Sequence, residues 1–455
     1  MTATTSPRTT SPGDIHDPTS AAYKKARRKH FKSTRNRPEQ VDAEWTPFRA
    51  AEKRYKARFP PPDLSDVLDL AAADPTRAEE IARGKWHGCA DAVQCTEIPL
   101  RNGRTGIGYT FPGTPGLIFL PAFIAPSEQR RLVRWALCEQ AKHPNETNLD
   151  THYVLPHEGV WNQYAKSWSG EGDDAEVFPR ATAQGTDTLS NQATGTETPG
   201  PRKLISNEPA STANYVELAS TPKPPAPPSQ TLRPVTISSL VPRLRWANIG
   251  WYYHWGTKQY DFTRGPGDIS PLVRDLCKGV VESIPWERVF GDSEGQAEGR
   301  GRSGWGEDGP DWMDWKETYE PDAGIVNFYQ TKDTLMAHVD RSEISATSPL
   351  VSISLGCAAV FLIGGLTRDD PPTPILLRSG DVVVMSGPAC RRAYHGVPRI
   401  LEGTLPSHME GGDDWDIYEE YLRATRINVN VRQVFPKGFD PGALDLSQRT
   451  HHTNP

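Results

Sequence analysis

Short apolar runs separated by turns fill the chain from residue 323 to residue 435. Val351, Ile353 and Leu355 recur at every second position, as expected for a strand. Two further apolar runs flank residues 379–381, Ser-Gly-Asp, and this spacing predicts a β-hairpin. Several short strands without intervening helices are typical of a sandwich or a jelly roll.

The last of these runs, residues 426–434, alternates between polar and apolar positions. Its polar face carries Arg426, Asn428, Asn430 and Arg432. Its apolar side carries Ile427, Val429, Val431 and Val434, the last being one step out of register. Because guanidinium groups bind carboxylates through paired hydrogen bonds, the polar face suits a cavity that holds an anion. A solvated edge strand is the alternative.

Helical periodicity appears nearer the N-terminus. Residues 21–38 have a strongly basic, helix-forming composition and end at a proline. Phe48, Ala51, Tyr55 and Phe59 follow at helical spacing. They predict a second helix that packs against the main domain.

A strand and a helix are predicted to open the folded domain. The apolar residues 116–124 predict the strand, and Ser127 is expected to cap the helix that follows. Leu132, Trp135 and Leu137 are among the apolar positions of that helix. The folded domain is therefore expected to begin at about this point.

Composition divides the chain into regions. They are a disordered N-terminus (1–20), a basic helical N-terminal extension (21–112), a folded domain (113–436) and a C-terminal tail (437–455). Within the domain, residues 166–235 and 291–311 lose apolar periodicity and become rich in polar residues, glycine and proline. Both segments are predicted to be disordered inserts.

Aromatic residues are concentrated between residues 242 and 260. They are Trp246, Trp251, Tyr252, Tyr253, Trp255 and Tyr260. Rings at this density commonly belong to a core, but they can also provide a surface on which a nucleic-acid base stacks. Both interpretations remain open.

A candidate metal pair, His338 and Asp340, follows the apolar run that begins at residue 325. Side chains two residues apart share one face of an extended segment, so both can face one metal ion. A second histidine would complete the two-histidine, one-carboxylate arrangement that is diagnostic of non-haem Fe(II) oxygenases. His395 is favoured because it lies far enough along the chain to return on a neighbouring strand. His408, in a stretch rich in glycine and glutamate, is the competitor.

Charge and composition limit the expected partners. The chain has a net charge of −6, yet residues 21–58 contain 13 Lys and Arg against 4 Asp and Glu. This basic arm is expected to attract phosphate backbones or to act as a nuclear import signal, with a solvated charged helix as the alternative. A hydrophobic content of 36% with 42 Pro and 38 Gly fits the predicted disordered segments.

Cysteine usage and the lack of long apolar runs bear on location. Six cysteines without regular spacing favour a reducing compartment. His87, Cys89 and Cys95 lack a fourth ligand at zinc-site spacing and are expected to be structural or incidental. No apolar run is long enough to span a membrane, and no signal-peptide core is present. The expected location is the nucleus, the cytoplasm or both, with the mitochondrion as an alternative.

These motifs resemble the AlkB family of Fe(II)- and 2-oxoglutarate-dependent dioxygenases, and within it the homologue-1 branch. The matching segments are RFPPPDLSDVLDL, PGLIFLPAF, LRWANIGWYYHW, NFYQTKDTLMAHVDRSE, VFLIGGLTRDDPPTPILLRSGDVVVMSG, HGVPRI and RINVNVRQV. The resemblance implies a mainly β (α+β) fold with a double-stranded β-helix, or jelly-roll, core and flanking helices. Both predicted inserts lie outside it.

The resemblance also assigns roles to residues. It implies that the Fe(II) ligands are His338, Asp340 and His395. It implies that 2-oxoglutarate is bound by Asn327, Tyr329 and Arg426, with Asn428 and Arg432 lining the same pocket, and that O2 is the other substrate. Two positions depart from the wider family. Asn430 stands where many members have threonine, and Ser342 replaces a second acidic residue that is used toward the base.

The implied activity is oxidative demethylation of N-methylated bases. A base in a duplex must be flipped out at a cost of about a few kcal/mol, so single-stranded or loop RNA is the easier substrate. The resemblance favours tRNA carrying methyladenine over DNA, on which the reaction would be DNA repair. Trp251, Tyr252 and Tyr253 are expected to stack the base.

Two other functions remain open at this point. One is a protein hydroxylase or histone demethylase with the same iron centre. The other is a catalytically silent nucleic-acid-binding module on a jelly-roll scaffold. The sequence leaves the oligomeric state open.

Overall fold

The computed structural model describes residues 15–35, 45–101, 106–180, 208–229, 231–294, 311–412 and 414–442. The strands within this part of the chain are β1 (Thr96–Pro99), β2 (Ile107–Thr110), β3 (Leu117–Leu120), β4 (Glu176–Val177), β5 (Val235–Thr236), β6 (Trp246–Gly250), β7 (Tyr253–His254), β8 (Gln259–Tyr260), β9 (Ala323–Gln330), β10 (Leu335–His338), β11 (Leu350–Gly356), β12 (Ala359–Ile363), β13 (Thr373–Leu377), β14 (Val382–Met385), β15 (His395–Ile400) and β16 (Thr425–Arg432).

The α-helices in the same residues are α1 (Ala21–Thr34), α2 (Pro47–Lys56), α3 (Ala78–Arg83), α4 (Pro126–Arg134), α5 (Val160–Ser169), α6 (Tyr215–Ser220), α7 (Ile237–Leu240), α8 (Pro271–Ser283), α9 (Trp286–Glu294), α10 (Trp315–Thr318), α11 (Gly387–Arg391) and α12 (Asp416–Leu422). Short 3-10 segments occur at Leu70–Ala73, Pro75–Arg77, Val241–Arg243, Phe262–Arg264, Asp311–Met313 and Ser407–Met409, and α4 continues into a π-helical turn at Trp135–Gln140. No helix in the described ranges is long and apolar enough to cross a membrane.

Two antiparallel sheets form the centre of the molecule. Eight strands pair in the order β1-β2-β3-β14-β11-β16-β9-β6, and four pair in the order β10-β15-β12-β13. Side chains of the large sheet, such as Phe119 and Val383, share an apolar core with Phe361 and Ile375 of the small sheet. This arrangement confirms the mainly β jelly-roll fold with flanking helices.

Further apolar layers cover the outer faces of both sheets. Leu132 of α4, Val160 of α5 and Val273 of α8 belong to one buried cluster with Val429 of β16, behind the large sheet. The outer face of the small sheet is covered by the N-terminal extension. Both faces of both sheets are therefore buried, which explains why their strands read as near-continuous apolar runs.

The turn at residues 379–381 does not close a hairpin, contrary to the prediction. Strand β13 pairs with β12 in the small sheet, whereas β14 pairs with β11 and β3 in the large sheet. The turn therefore carries the chain from one sheet to the other. Gly380 has φ of 88°, and a Cβ there would lie 2.3 Å from Nε2 of Gln129, so the crossing requires glycine.

The folded domain begins earlier than predicted. Strand β1 pairs with β2, and β2 pairs with β3, so residues before 113 belong to the large sheet. The predicted basic helix forms as α1, and the second predicted helix forms as α2. Phe48 and Tyr55 of α2 are buried against the small sheet, as their spacing predicted.

Helix α4 begins at Pro126 with Ala125 at its N-cap, rather than with Ser127 as the cap. Proline is favoured at the first helical position because its fixed φ suits the helix and its missing N–H is not needed there. Leu132, Trp135 and Leu137 are buried, as predicted.

The predicted inserts are partly structured. Strand β4 pairs with β5, and within residues 208–229 helix α6 buries Tyr215 in an aromatic cluster with Phe262 and Phe435. The apolar periodicity of this segment is weak because α6, with six residues, contributes only a few apolar positions. Residues 181–207 and 295–310 of the predicted inserts lie outside the described residues.

The predicted disordered N-terminus (1–20) and the predicted C-terminal tail (437–455) both include residues that the structure describes. Ser20 caps α1, accepting a hydrogen bond from the Tyr23 N–H at 2.9 Å, so residues 15–20 contribute to the fold. Phe439, in the predicted tail, packs on Tyr215 with ring centroids 5.0 Å apart. Residues 1–14 and 443–455 lie outside the described part.

A buried ion network holds the N-terminal extension to the turn between the sheets. Arg378 donates two hydrogen bonds to Asp69, at 3.0 and 2.7 Å, and Arg77 donates one to Asp381 at 2.9 Å. Asp381 also accepts the Ala122 N–H at 2.9 Å. The network therefore ties the extension, the loop between β3 and α4, and the sheet crossing together.

We expect Asp69→Ala to lower the free energy of unfolding by about 3–5 kcal/mol, because it leaves the buried Arg378 guanidinium without its main partner. Denaturant unfolding followed by circular dichroism measures the loss. The control is Lys437→Ala, which removes an exposed ion pair with Asp314 and is expected to cost less than about 1 kcal/mol. Equal, small losses in both variants would contradict this account of the network.

Candidate active site

Strands β10 and β15 bring the two predicted metal-binding histidines together. His338 at the end of β10 pairs directly with His395 at the start of β15, and their ring centroids lie 4.4 Å apart. Asp340 follows two residues after His338, and its Oδ1 lies 3.6 Å from His338 Nε2. One ligand atom from each of the three side chains lies within 4.8 Å of the others. The group can hold a metal ion on one face and leave other coordination positions open.

Backbone carbonyls orient both imidazole rings. The Nδ1 of His338 lies 3.0 Å from the Met336 oxygen, and the Nδ1 of His395 lies 3.1 Å from the Ala393 oxygen. A carbonyl only accepts, so Nδ1 carries the proton on each ring and Nε2 keeps its lone pair for a metal. Burial, with the adjacent His338 ring adding to it, lowers the pKa of His395 to about 4. His395 is therefore neutral and ready to bind a metal at physiological pH.

Arginines keep the third ligand ionised. Burial alone would raise the pKa of Asp340, but Arg432, the two histidines and Arg391 together hold it well below its usual range. The Nη1 of Arg432 lies 3.3 Å from Oδ2 of Asp340. The carboxylate is thus available as a metal ligand at neutral pH.

A buried glutamate that sequence reasoning missed completes this charge cluster. Glu343 accepts a hydrogen bond from Arg432 at 2.5 Å, and its other oxygen lies 3.7 Å from Arg391. Two carboxylates therefore face two arginines. Its position three residues after Asp340 was the available signal, but only the folded loop shows that it faces the arginines.

The polar face of β16 forms the opposite wall of the site. Strand β16 lies between β11 and β9, so it is a central strand and not a solvated edge. Asn428 pairs across the sheet with Asn327, and Arg426 pairs with Tyr329. The Asn327 amide donates to Asn428 at 3.3 Å, and Asn428 donates to Ser352 at 2.8 Å.

Arg426 is positioned to bind an anion. The residue is 1% exposed, and its guanidinium donates to Ser354 at 2.9 Å, while its Nε and Nη1 have no hydrogen-bond partner among the described residues. Burial lowers the pKa of Arg426 to about 10, so it remains charged at neutral pH. A buried cation with unused donors fits the carboxylate of a small acid, since such donors are costly to leave unpaired.

A single cavity of about 780 Å³ joins the metal ligands to this anion site. The predicted residues that line it are Asn327, Tyr329, His338, Asp340, His395, Arg426, Asn428, Asn430 and Arg432. Burial raises the pKa of Tyr329 to about 12, so its hydroxyl keeps its proton. The predicted metal and co-substrate residues therefore meet in one space.

The aromatic prediction needs correction at two of three positions. Tyr253 lines the cavity, but Trp251 is buried against Phe262 and Phe435 and has no free face for a base. The Tyr252 ring lies under the Arg264 guanidinium, 3.7 Å away, and does not line the cavity. Trp251 and Tyr252 lie between β6 and β7, so strand alternation could not show which rings turn inward.

Trp255 lines the cavity instead, and it was not singled out from the sequence. It is 42% exposed, stacks on Trp246 with centroids 5.1 Å apart and meets Tyr253 edge-on at 5.0 Å. Glu208, Ala210 and Leu218, from a predicted insert, line the same cavity. Ser342 donates to the Lys258 carbonyl at 2.8 Å, so its hydroxyl is held at this rim.

The alternative candidates for metal ligands lie outside the cavity. The Nε2 of His408 lies 2.9 Å from the side-chain oxygen of Gln129, away from the cavity. His87, Cys89 and Cys95 form no cluster with metal-ligand spacing in the described part of the chain. The geometry therefore favours His395 over His408.

Comparisons with known proteins agree with this site. The family model of the 2OG-Fe(II) oxygenase superfamily matches residues 203–432. The chain is 29% identical over 396 residues to the tRNA demethylase abh1 of Schizosaccharomyces pombe, covering 86% of this chain and 96% of that protein. It is 27% identical over 415 residues to the DNA N(6)-methyladenine demethylase ALKBH1A of Arabidopsis thaliana, covering 87% and 97%. It is 32% identical over 257 residues to the N6-methyladenosine RNA demethylase ALKBH of Cryphonectria parasitica, covering 52% and 96%.

We expect His338→Ala to weaken the binding of Mn(II), used as a redox-stable probe, by more than about 100-fold, because loss of even an outer-shell partner costs about 10- to 100-fold. Titration of apoprotein followed by the electron paramagnetic resonance of free Mn(II) measures this. The matched control is His408→Ala, which is expected to bind as the unaltered chain does. A loss in the His408 variant as large as that in the His338 variant would show that His408, and not His395, is the third ligand.

We expect Arg426→Met to weaken 2-oxoglutarate binding to the Mn(II)-loaded protein by at least about 30-fold, since truncating a buried hydrogen-bonded charge pair costs about 2–5 kcal/mol. The metal-free variant should be as stable as the unaltered chain or more so, because an unpaired buried charge is removed. Calorimetry and thermal unfolding measure the two effects. Arg423→Met, an exposed arginine beside the same strand, serves as the control; unchanged binding in the Arg426 variant would contradict the assignment.

Proposed function

The chain belongs to the 2OG-Fe(II) oxygenase superfamily, as an ALKBH1-like member of the AlkB family, and from this premise we propose that it demethylates N-methylated bases in tRNA. One observation carries the proposal. The metal triad, the buried anion site and an aromatic rim share one cavity. The enzyme is a dioxygenase that uses Fe(II), 2-oxoglutarate and O2.

The residues present fit these cofactors. His338, Asp340 and His395 would hold the iron, and the unpaired donors of Arg426 would hold the distal carboxylate of 2-oxoglutarate. When bound, iron and 2-oxoglutarate use O2 to oxidise a carbon–hydrogen bond, here in the N-methyl group, which leaves as formaldehyde. The protein's own part is to keep Asp340 ionised, to keep the His395 imidazole neutral and to enclose the reacting groups.

The aromatic residues at the rim of the cavity support the proposal that the substrate is a flat base. Trp255 and Tyr253 line the cavity that contains the triad, and the Trp246 ring stacks on Trp255. A base stacked on an aromatic side chain gains about 1–3 kcal/mol, which offsets part of the cost of unstacking it from its neighbours. Unstacking costs less for bases in single-stranded loops, so such bases are the favoured substrates.

The positive charge of helix α1 supports the proposal that the substrate is a polyanion. It has six lysines and arginines, no acidic residue and no buried side chain. None of the six forms an ion pair with a described residue; the rings of Tyr23 and His30 instead attach the helix to Phe59, at 5.0 and 5.6 Å. Such a helix is expected to bind phosphates with an affinity that falls steeply as salt is raised.

The choice of tRNA over DNA is supported by the name of the yeast relative, while the plant relative is named for DNA. We propose that methylated adenine in tRNA is the preferred base and that DNA repair is at most a secondary activity. We also propose that the protein works in the nucleus, the cytoplasm or both, for which the basic arm is the support. Imaging of a tagged chain tests the location, and an exclusively mitochondrial signal would contradict it.

We expect purified protein with Fe(II), 2-oxoglutarate and O2 to remove methyl groups from tRNA containing methylated adenine, with succinate formed in step. Mass spectrometry of nucleosides and of succinate measures both products, and His338→Ala should abolish both. Succinate without methyl loss from tRNA would redirect the search to methylated DNA or to peptides. If iron-loaded, folded protein forms neither product, the chain is a nucleic-acid-binding module rather than an enzyme.

We expect Trp255→Ala to raise KM for the RNA substrate by about 5- to 150-fold, equivalent to the 1–3 kcal/mol of one stacking contact. The KM for 2-oxoglutarate should not change, since Arg426 binds it at the opposite wall. Trp168→Ala is the matched control, because Trp168 is also exposed but does not line the cavity. Equal effects of the two variants would show that the rim does not stack the base.

A further inference from the structure

The peptide before the first metal ligand lies at an irregular point of an edge strand. Strand β10 is the outermost strand of the small sheet, and its register with β15 shifts between Leu335 and His338. A Cβ on Gly396 would lie 2.9 Å from the Leu335 oxygen and 3.2 Å from the Ala337 nitrogen, so the two backbones are already in close contact. The shift leaves the backbone groups of Ala337 to find partners outside the sheet.

Glu52, on helix α2, accepts a hydrogen bond from one of these groups. Its Oε1 accepts the Ala337 N–H at 2.6 Å. Its Oε2 accepts from Arg49 at 3.0 Å, and the residue is only 4% exposed. Buried glutamates are uncommon, and this one has a specific target: the amide directly before His338.

Arg368 binds the other group. Its Nη2 donates to the Ala337 carbonyl at 3.0 Å. The carbonyl of Arg368 in turn accepts the Phe48 N–H at 3.2 Å, at the start of α2. Helix α2 and the segment around Arg368 are thus joined to each other as well as to Ala337.

We propose that Glu52 and Arg368 are positioning residues for the metal site. Together they fix the plane of the peptides on both sides of Ala337. Met336, whose carbonyl orients the His338 ring, precedes Ala337, and His338 follows it. The N-terminal helix therefore holds a metal ligand in place without touching the metal, the co-substrate or the substrate. The proposal rests on the iron site of the proposed function but not on the choice of nucleic acid.

The test compares two substitutions at Glu52. Glutamine keeps an oxygen that can accept the Ala337 N–H, whereas alanine removes it. Glu52→Ala is expected to weaken Mn(II) binding by about 10- to 100-fold, as loss of an outer-shell partner does, and Glu52→Gln to restore most of the affinity. Arg368→Ala, at an exposed residue, should weaken Mn(II) binding in the same direction. Affinity is measured on the full chain without nucleic acid, so an error in the substrate assignment leaves the result unchanged.

Tyr55→Phe is the matched control on the same helix. Tyr55 is buried beside Glu52's helix face and donates to Asp66 at 3.0 Å, with no hydrogen bond to β10. It should lower the thermal unfolding temperature and leave Mn(II) affinity unchanged. Three results would overturn the proposal: alanine at position 52 binding Mn(II) normally, glutamine failing to restore binding, or Tyr55→Phe weakening it equally. If Glu52→Ala does not fold, the Arg368→Ala titration decides alone, and normal Mn(II) binding there overturns the proposal.

Discussion

Two arginines of β16, Arg426 and Arg432, place their guanidinium groups in the cavity between the two sheets. The chemistry of the site depends on how the charge of each is neutralised. Arg432 faces Asp340 and Glu343, so its charge is balanced by the protein itself. Arg426, six residues away on the same face of β16, has unused donors and no carboxylate partner among the residues that the structure describes. The fold therefore accepts one internally paired cation beside the metal ligands and one that requires an anion from outside. We propose that this asymmetry sets the location of the co-substrate.

Much of the site was predictable because it depends on local periodicity. Alternation in β16 placed Arg426, Asn428 and Arg432 on one face, and the His-x-Asp spacing placed two ligands on one side of a strand. His395 could be favoured because antiparallel strands return ligands to the same end. These inferences needed only the two-residue repeat of a strand, which the fold preserves.

The remaining features depend on contacts between distant segments, which periodicity does not encode. The turn at residues 379–381 has hairpin composition, yet its two strands belong to different sheets, and Asp381 and Arg378 at this turn bind the N-terminal extension. The aromatic stretch gave no means of separating buried Trp251 from exposed Trp255, since the strands that follow Trp251 are only two residues long. Helix α6 escaped prediction because its few apolar residues are buried by partners near the C-terminus.

The two halves of the site lie on strands with different neighbours. Strand β16 is hydrogen-bonded on both sides, whereas β10 is an edge strand, so His338 can detach with β10 while the co-substrate wall stays intact. Local opening of lower free energy than global unfolding should therefore begin at the metal side, and amide hydrogens of β10 should exchange with solvent before those of β16. Opening at β10 would separate His338 from the other two ligands and leave the core around β16 in place.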